Sequence, residues 1–191
     1  MIGRRSVLYL LSQLWVVFAA KAAAVGFENL EYRNGRLRWS QGNAAAVVGR
    51  SGVRVDKREG DGATPAGTYP LLVVLYRPDR IAQPASHLPV RALAPDDGWV
   101  DDPADANYNR LVMLPYPASA ERLWREDELY DALVVIGYNT QPIMPGAGSA
   151  IFLHVAAPDF APTAGCVAVA KDVLLGLLPL LGPGSRITIG A

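Results

Sequence analysis

The chain is interrupted too often to form long helices. Short apolar runs, among them Ala44 to Val48, Leu71 to Tyr76, Leu133 to Asn139, Ile151 to Val155 and Val167 to Ala170, are separated by turn residues drawn from 18 Gly and 15 Pro. Runs of this length, bounded by Gly, Pro, Asn and Asp, suit strands better than helices, which need ten or more residues of continuous period. The clearest turn is Asn34-Gly35, set between Leu30-Glu-Tyr-Arg and Arg36-Leu-Arg-Trp39. Asn-Gly accepts the positive φ angles of a two-residue hairpin, so the domain is expected to open as a meander. Tyr108 to Leu114 and Arg186 to Ile189 read as further strands. Two short helices are expected: one from Ala120 to about Tyr130, capped by Ser119, and one from Val173 to about Leu178, ended by Pro179 and Gly182-Pro183-Gly184. No repeat or linker divides the sequence. The expected fold class is mainly β, a curved sandwich or barrel with two short helices, in one domain over residues 25–191.

Composition sets limits on function. With 51% hydrophobic and 19% charged residues, 191 residues can bury a real core. Acidic and basic side chains balance at 18 each, and no basic stripe points to nucleic acid. At the N-terminus, Arg4-Arg5 precede an apolar stretch from Val7 to Ala20, followed by small residues through Ala24. This is the pattern of an export signal, and the stretch is short for a membrane span. Residues 1–24 are therefore read as a signal peptide or N-terminal anchor, and the domain is expected in the periplasm or cell envelope, or in the cytoplasm if the segment is not a signal.

Several motifs invite stronger readings than they support. Gly60-Asp61-Gly62 with Thr64-Pro65-Ala66-Gly67 is glycine-rich, but no Gly-Lys-Ser/Thr and no helix start follow, so an ordered loop is expected in place of a phosphate cradle. Asp96, Asp97, Asp101 and Asp102 lack the closing Glu of a calcium loop and read as a solvated turn. His87, in a Pro-rich loop, reads as exposed. No metal site is expected.

The chemistry lies near the C-terminal end. Cys166 is the only cysteine, so no internal disulfide is possible, and His154 stands twelve residues before it. Each lies in or beside an apolar run, with a Pro-containing loop between. A cysteine is nucleophilic as thiolate. An imidazole beside it takes the proton, stabilises the thiolate and later protonates a leaving amine. Gly165 lets the backbone turn sharply before Cys166, and the amides of Gly165 and Cys166 are candidate donors to an oxyanion. Thr163 is placed to tie the loop through its hydroxyl. Tyr138, Asn139, Ser149 and a backbone carbonyl are candidates to orient His154, with backbone preferred. A lone cysteine in a Val/Ala-rich run also fits an inert core position.

His154 followed by Thr163-Ala164-Gly165-Cys166 resembles the catalytic signature of the YkuD-type L,D-transpeptidases, in which a strand His precedes Ser/Thr-x-Gly-Cys. Asp61-Gly62-Ala63-Thr64-Pro65-Ala66-Gly67-Thr68-Tyr69 resembles that family's Thr-Pro-x-Gly-x-aromatic segment. The similarity runs from about Asn34 to the C-terminus. Ala164 stands where the family usually has His, and Ala168 where it often has Arg or Asn. The resemblance implies a curved β-rich fold with Cys166 as nucleophile facing a cleft, His154 as base and acid, and no cofactor. It implies peptidoglycan stem peptides as acyl donor and amine acceptor, a thioester intermediate, a 3–3 cross-link or anchored protein as product, and acylation by carbapenems. Hydrolysis at the same site, or wall binding without catalysis, are the alternatives.

Overall fold

The computed structural model describes residues 27–190, so the expected export segment lies outside the described residues. In chain order the elements are β1 (Leu30–Arg33), β2 (Arg36–Trp39), β3 (Gly42–Val47), β4 (Val53–Arg54), β5 (Thr64–Pro65), β6 (Gly67–Tyr76), β7 (Val90–Ala92), β8 (Asp97–Val100), β9 (Leu111–Met113), β10 (Ala120–Arg122), β11 (Ala132–Ile136), β12 (Phe152–Val155), β13 (Val167–Val169), α1 (Lys171–Leu177) and β14 (Arg186–Ile189). Asn34 (φ 51°) and Gly35 (φ 75°) form the expected turn, and β1, β2 and β3 follow as an antiparallel meander.

The main sheet runs β11-β12-β13-β3-β2-β1-β14-β6-β7. Because β6 also pairs with β11, eight of these strands close on themselves as a barrel. Closure removes the unpaired edges that a long open sheet would expose. Most neighbours are antiparallel, but β12 and β13 are parallel, in the register Leu153 with Val167 and His154 with Ala168. The loop between two parallel neighbours must carry the chain back along the sheet. That return is the stretch from Ala156 to Cys166, and it brings the cysteine back beside the start of β12.

Successive residues on these strands face opposite sides. Val134, Ile136, Leu153, Val155, Val167 and Val169 join one apolar core, sealed by Leu174 and Leu177 of α1. Leu133, Val135, Phe152 and Cys166 face a second, smaller core with Trp99, Leu123 and Tyr130. A three-stranded sheet in the order β10-β8-β9 supplies part of that second layer.

Two sequence expectations need correction. Ala120 to Tyr130 is not a helix. Ala120–Arg122 pairs antiparallel with Gly98 to Val100, and Leu123 is fully buried beyond it. Good helix formers behind a Ser cap are overridden here by strand pairing and burial. The chain therefore has one short α-helix, α1, continued by a single 3₁₀ turn at Leu178–Leu180. Asp96 to Asp102 is not a solvated turn either. It contains β8, and Asp97 is buried, accepting Arg91 at 2.8 and 2.9 Å and the Ala94 amide at 2.8 Å. His87 is exposed as expected, its ring 5.1 Å from that of Phe27.

Candidate active site

Cys166 and His154 line one cleft of about 580 Å³. The β12–β13 register explains how. Cys166 lies level with Phe152, and His154 lies level with Ala168, so Cys166 and His154 face the same side one strand apart. Ala168 is fully buried beside the imidazole, where an alanine leaves the ring room. Ala164 is exposed on the cleft rim.

The cysteine loop is held from both ends. The Cys166 carbonyl accepts the Thr163 hydroxyl at 2.7 Å and the Thr64 hydroxyl at 3.3 Å. Thr64 Oγ1 in turn accepts the Gly49 amide at 2.8 Å, and Gly49 bridges Thr163. This accounts for the Thr64-Pro65 segment: Thr64 is fully buried and fastens β5 to the cysteine loop. Gly165 has φ +152°, and a Cβ there would sit 2.9 Å from the Ala63 carbonyl oxygen. Only glycine passes this close. The Gly165 amide donates to Thr163 Oγ1 at 3.1 Å, so Thr163 already occupies one of the two candidate oxyanion donors and the Cys166 amide remains.

His154 is 5% exposed, and its Nδ1 lies 2.8 Å from the Val155 carbonyl oxygen. A carbonyl only accepts, so the proton sits on Nδ1 and Nε2 carries the basic lone pair. Two of the other candidates to orient the ring are engaged elsewhere, Tyr138 donating to Ala147 O and Asn139 to Met144 O and Gly148 O, and Ser149 makes no hydrogen bond to the ring. The Tyr130 ring meets His154 edge-on at 5.3 Å and Phe152 at 5.8 Å. The Phe152 amide donates to Cys166 Sγ at 3.3 Å, and the thiol points at the Ala150 carbonyl oxygen, 3.2 Å away. Neither Tyr130 nor the Phe152 amide was legible as part of the site, because a tyrosine at the end of an expected helix and a main-chain donor leave no motif.

The charge state of the pair differs from the sequence expectation. Burial pushes the Cys166 thiol up to about 12, with Glu121 adding to the shift, while the Phe152 amide and Lys57 oppose it. Burial pulls His154 down to about 4 against the pull of the Val155 carbonyl. At neutral pH the resting site therefore holds thiol and neutral imidazole, not a preformed thiolate–imidazolium pair. The neutral imidazole has a lone pair to accept a proton, but with the two values this far apart transfer from the resting thiol is uphill and would have to accompany any attack by the sulfur.

A family model for the YkuD L,D-transpeptidase catalytic domain matches residues 21–189. The chain therefore belongs to the YkuD L,D-transpeptidase family. Its mainly β, barrel-like architecture agrees with that fold. No curated protein matches it.

Proposed function

We propose that the protein is a cysteine-dependent acyltransferase acting on peptidoglycan stem peptides, with Cys166 as nucleophile and His154 as general base and acid. The observation that carries this reading is the placement of Cys166 and His154 on one face of the β12–β13 pair, in one cleft, with the imidazole oriented by the Val155 carbonyl.

As Sγ attacks the peptide carbonyl of the third stem residue, His154 Nε2 takes the thiol proton and the C–S bond forms. The oxygen gains the negative charge, with the Cys166 amide as its donor; a lost oxyanion donor costs about 3 kcal/mol. The imidazolium protonates the leaving nitrogen, the C–N bond breaks and the terminal D-alanine departs, leaving a thioester. An amine then attacks the thioester, His154 takes its proton, the C–S bond breaks, and the sulfur leaves to recover the proton. The product is an amide cross-link or an anchored protein. This substrate lies outside the cytoplasm, and the export-like start of the chain fits that location.

The test is incubation with a disaccharide-tetrapeptide, with product masses read. Cross-linked dimer from the wild-type protein, and none from Cys166→Ser, is the expected result. Free tripeptide as the sole product would reassign the site to hydrolysis, and full retention by Cys166→Ser would remove the proposal.

A further inference from the structure

The Cys166 thiol donates to the Ala150 carbonyl oxygen at 3.2 Å, and its sulfur accepts the Phe152 amide at 3.3 Å. Nδ1 of His154 is taken by the Val155 carbonyl, and among the described residues no hydrogen bond joins the thiol to the imidazole. The thiol proton therefore rests on a main-chain carbonyl and not on the base.

That carbonyl is held in an uncommon conformation. Ala150 has φ +51°, in the left-handed region that a Cβ disfavours. It lies at the end of the β11–β12 loop, on the wall of the cleft. A non-glycine residue stays in that region when its surroundings over-determine it. On its C-terminal side Ile151 and Phe152 are buried, and Ile151 O accepts the Ile136 amide at 3.0 Å. On its N-terminal side the anchor is one side chain: the Ala150 amide donates to Asn109 Oδ1 at 3.1 Å.

Asn109 is a junction. It is 4% exposed, has φ +57°, and sits between β8 and β9. Its Oδ1 also accepts Trp99 Nε1 of β8 at 2.9 Å. Its Nδ2 donates to the carbonyl oxygens of Tyr138 at 3.2 Å and Asn139 at 2.8 Å, where the β11–β12 loop begins. Donors meet the oxygen and acceptors meet the nitrogen, so the side-chain amide has a single orientation. A carboxylate could not donate to the two carbonyls, and leucine could make none of these bonds. One amide thus joins β8, both ends of the β11–β12 loop and the residue that faces the sulfur.

We propose that Asn109 is a positioning residue which, through the Ala150 peptide, latches the resting Cys166 thiol away from His154. Reaction then begins with an exchange: the S–H contact to Ala150 O breaks, and the same proton passes to His154 Nε2 as the sulfur attacks. A carbonyl that accepts from the thiol favours the protonated sulfur, so the latch keeps the resting site unreactive. The role rests on the acyl-transfer reading, in which Cys166 attacks and His154 takes its proton, but the latch itself is read from the thiol alone. The titratable groups facing the sulfur are His154 of β12, Tyr130 ahead of β11, Glu121 of β10 and Lys57 of the loop after β4. None of them bonds to Asn109, so a change at position 109 leaves them in place.

The test is alkylation of Cys166 by iodoacetamide, followed by intact mass as a function of pH on the full chain. Asn109→Leu removes the anchor. Ala150→Val leaves Asn109 untouched but puts a β-branched residue where φ is positive. Each should speed alkylation about tenfold at pH 8 and move the rising limb of the rate–pH profile about one unit down. The double variant should go no further than either single one, because both cut the same link. Leu153→Ala, which loosens β12 from its other side, should leave the limb where the wild type has it. A wild-type profile in both Asn109→Leu and Ala150→Val overturns the latch, and so does an equal shift in Leu153→Ala, which would mark general loosening. Should Asn109→Leu fail to fold, Ala150→Val against Leu153→Ala decides by the same criterion. If the limb moves as stated while the wild-type protein forms no acyl adduct with a stem peptide, the transferase reading falls and the latch stands.

Discussion

Strand β12 presents two different interiors to its two sides. Leu153 and Val155 enter an apolar core shared with α1 and most of the barrel strands. Phe152 and His154, one residue out of phase, face a layer that also holds Cys166, Tyr130 and the carboxylates of the cleft. The first side has hydrocarbon throughout and contributes stability. The second buries an imidazole, a thiol and half-buried carboxylates, which burial alone disfavours. A single four-residue strand therefore divides folding from chemistry by side-chain parity, and substitutions at neighbouring positions should affect different properties.

The largest effect is expected on the cleft side. Cys166→Ala should abolish acyl-adduct formation while changing stability by less than about 1 kcal/mol, since a small side chain replaces a small one; mass spectrometry and urea unfolding check the two halves. His154→Gln should slow thioester formation by roughly 10²- to 10⁴-fold in single-turnover kinetics. On the opposite side, Leu153→Ala should lower stability by about 2–5 kcal/mol, and the adduct should still form in the fraction that remains folded. If Leu153→Ala proves harmless to stability, or Cys166→Ala as damaging as Leu153→Ala, the division between the two sides is wrong.

Acid should sharpen the same contrast. Burial holds His154 down at about 4, below the ordinary value near 6.5 expected in the unfolded chain. A histidine of depressed pKa binds its proton more readily when unfolded. Its share of stability is full above about pH 6.5 and is lost as pH falls from there towards 4. The span amounts to about 3 kcal/mol. Urea unfolding at pH 7.5 and 4.5 should show that loss in the wild type and a smaller one in His154→Gln. The smallest effect expected is at the loop clamp. Thr64→Val keeps the shape but removes the hydroxyl between the Gly49 amide and the Cys166 carbonyl, costing about 1–2 kcal/mol in unfolding measurements.

What the sequence revealed follows the same line. The Asn34-Gly35 hairpin, the apolar strands, and the His154–Cys166 spacing with Gly165 are local signals, and each lies where the pattern put it. The failures are tertiary. Residues 120–130 carry a Ser cap and good helix formers, but β8 pairs with Ala120–Arg122 and turns Glu121 towards Tyr130. Asp97 looked like one of several solvated carboxylates until Arg91 came to meet it. The charge state of Cys166 and His154 was out of reach for the same reason, because a twelve-residue spacing carries no information about the depth of burial that pushes thiol and imidazole apart.

The most direct test of the central claim is the intact mass of the protein after brief incubation with a stem tetrapeptide donor and no acceptor. The account predicts an adduct on Cys166 equal to the donor acyl group, formed with release of D-alanine and absent in Cys166→Ala. An unmodified Cys166 at saturating donor, with carbapenem likewise leaving no adduct, would contradict it.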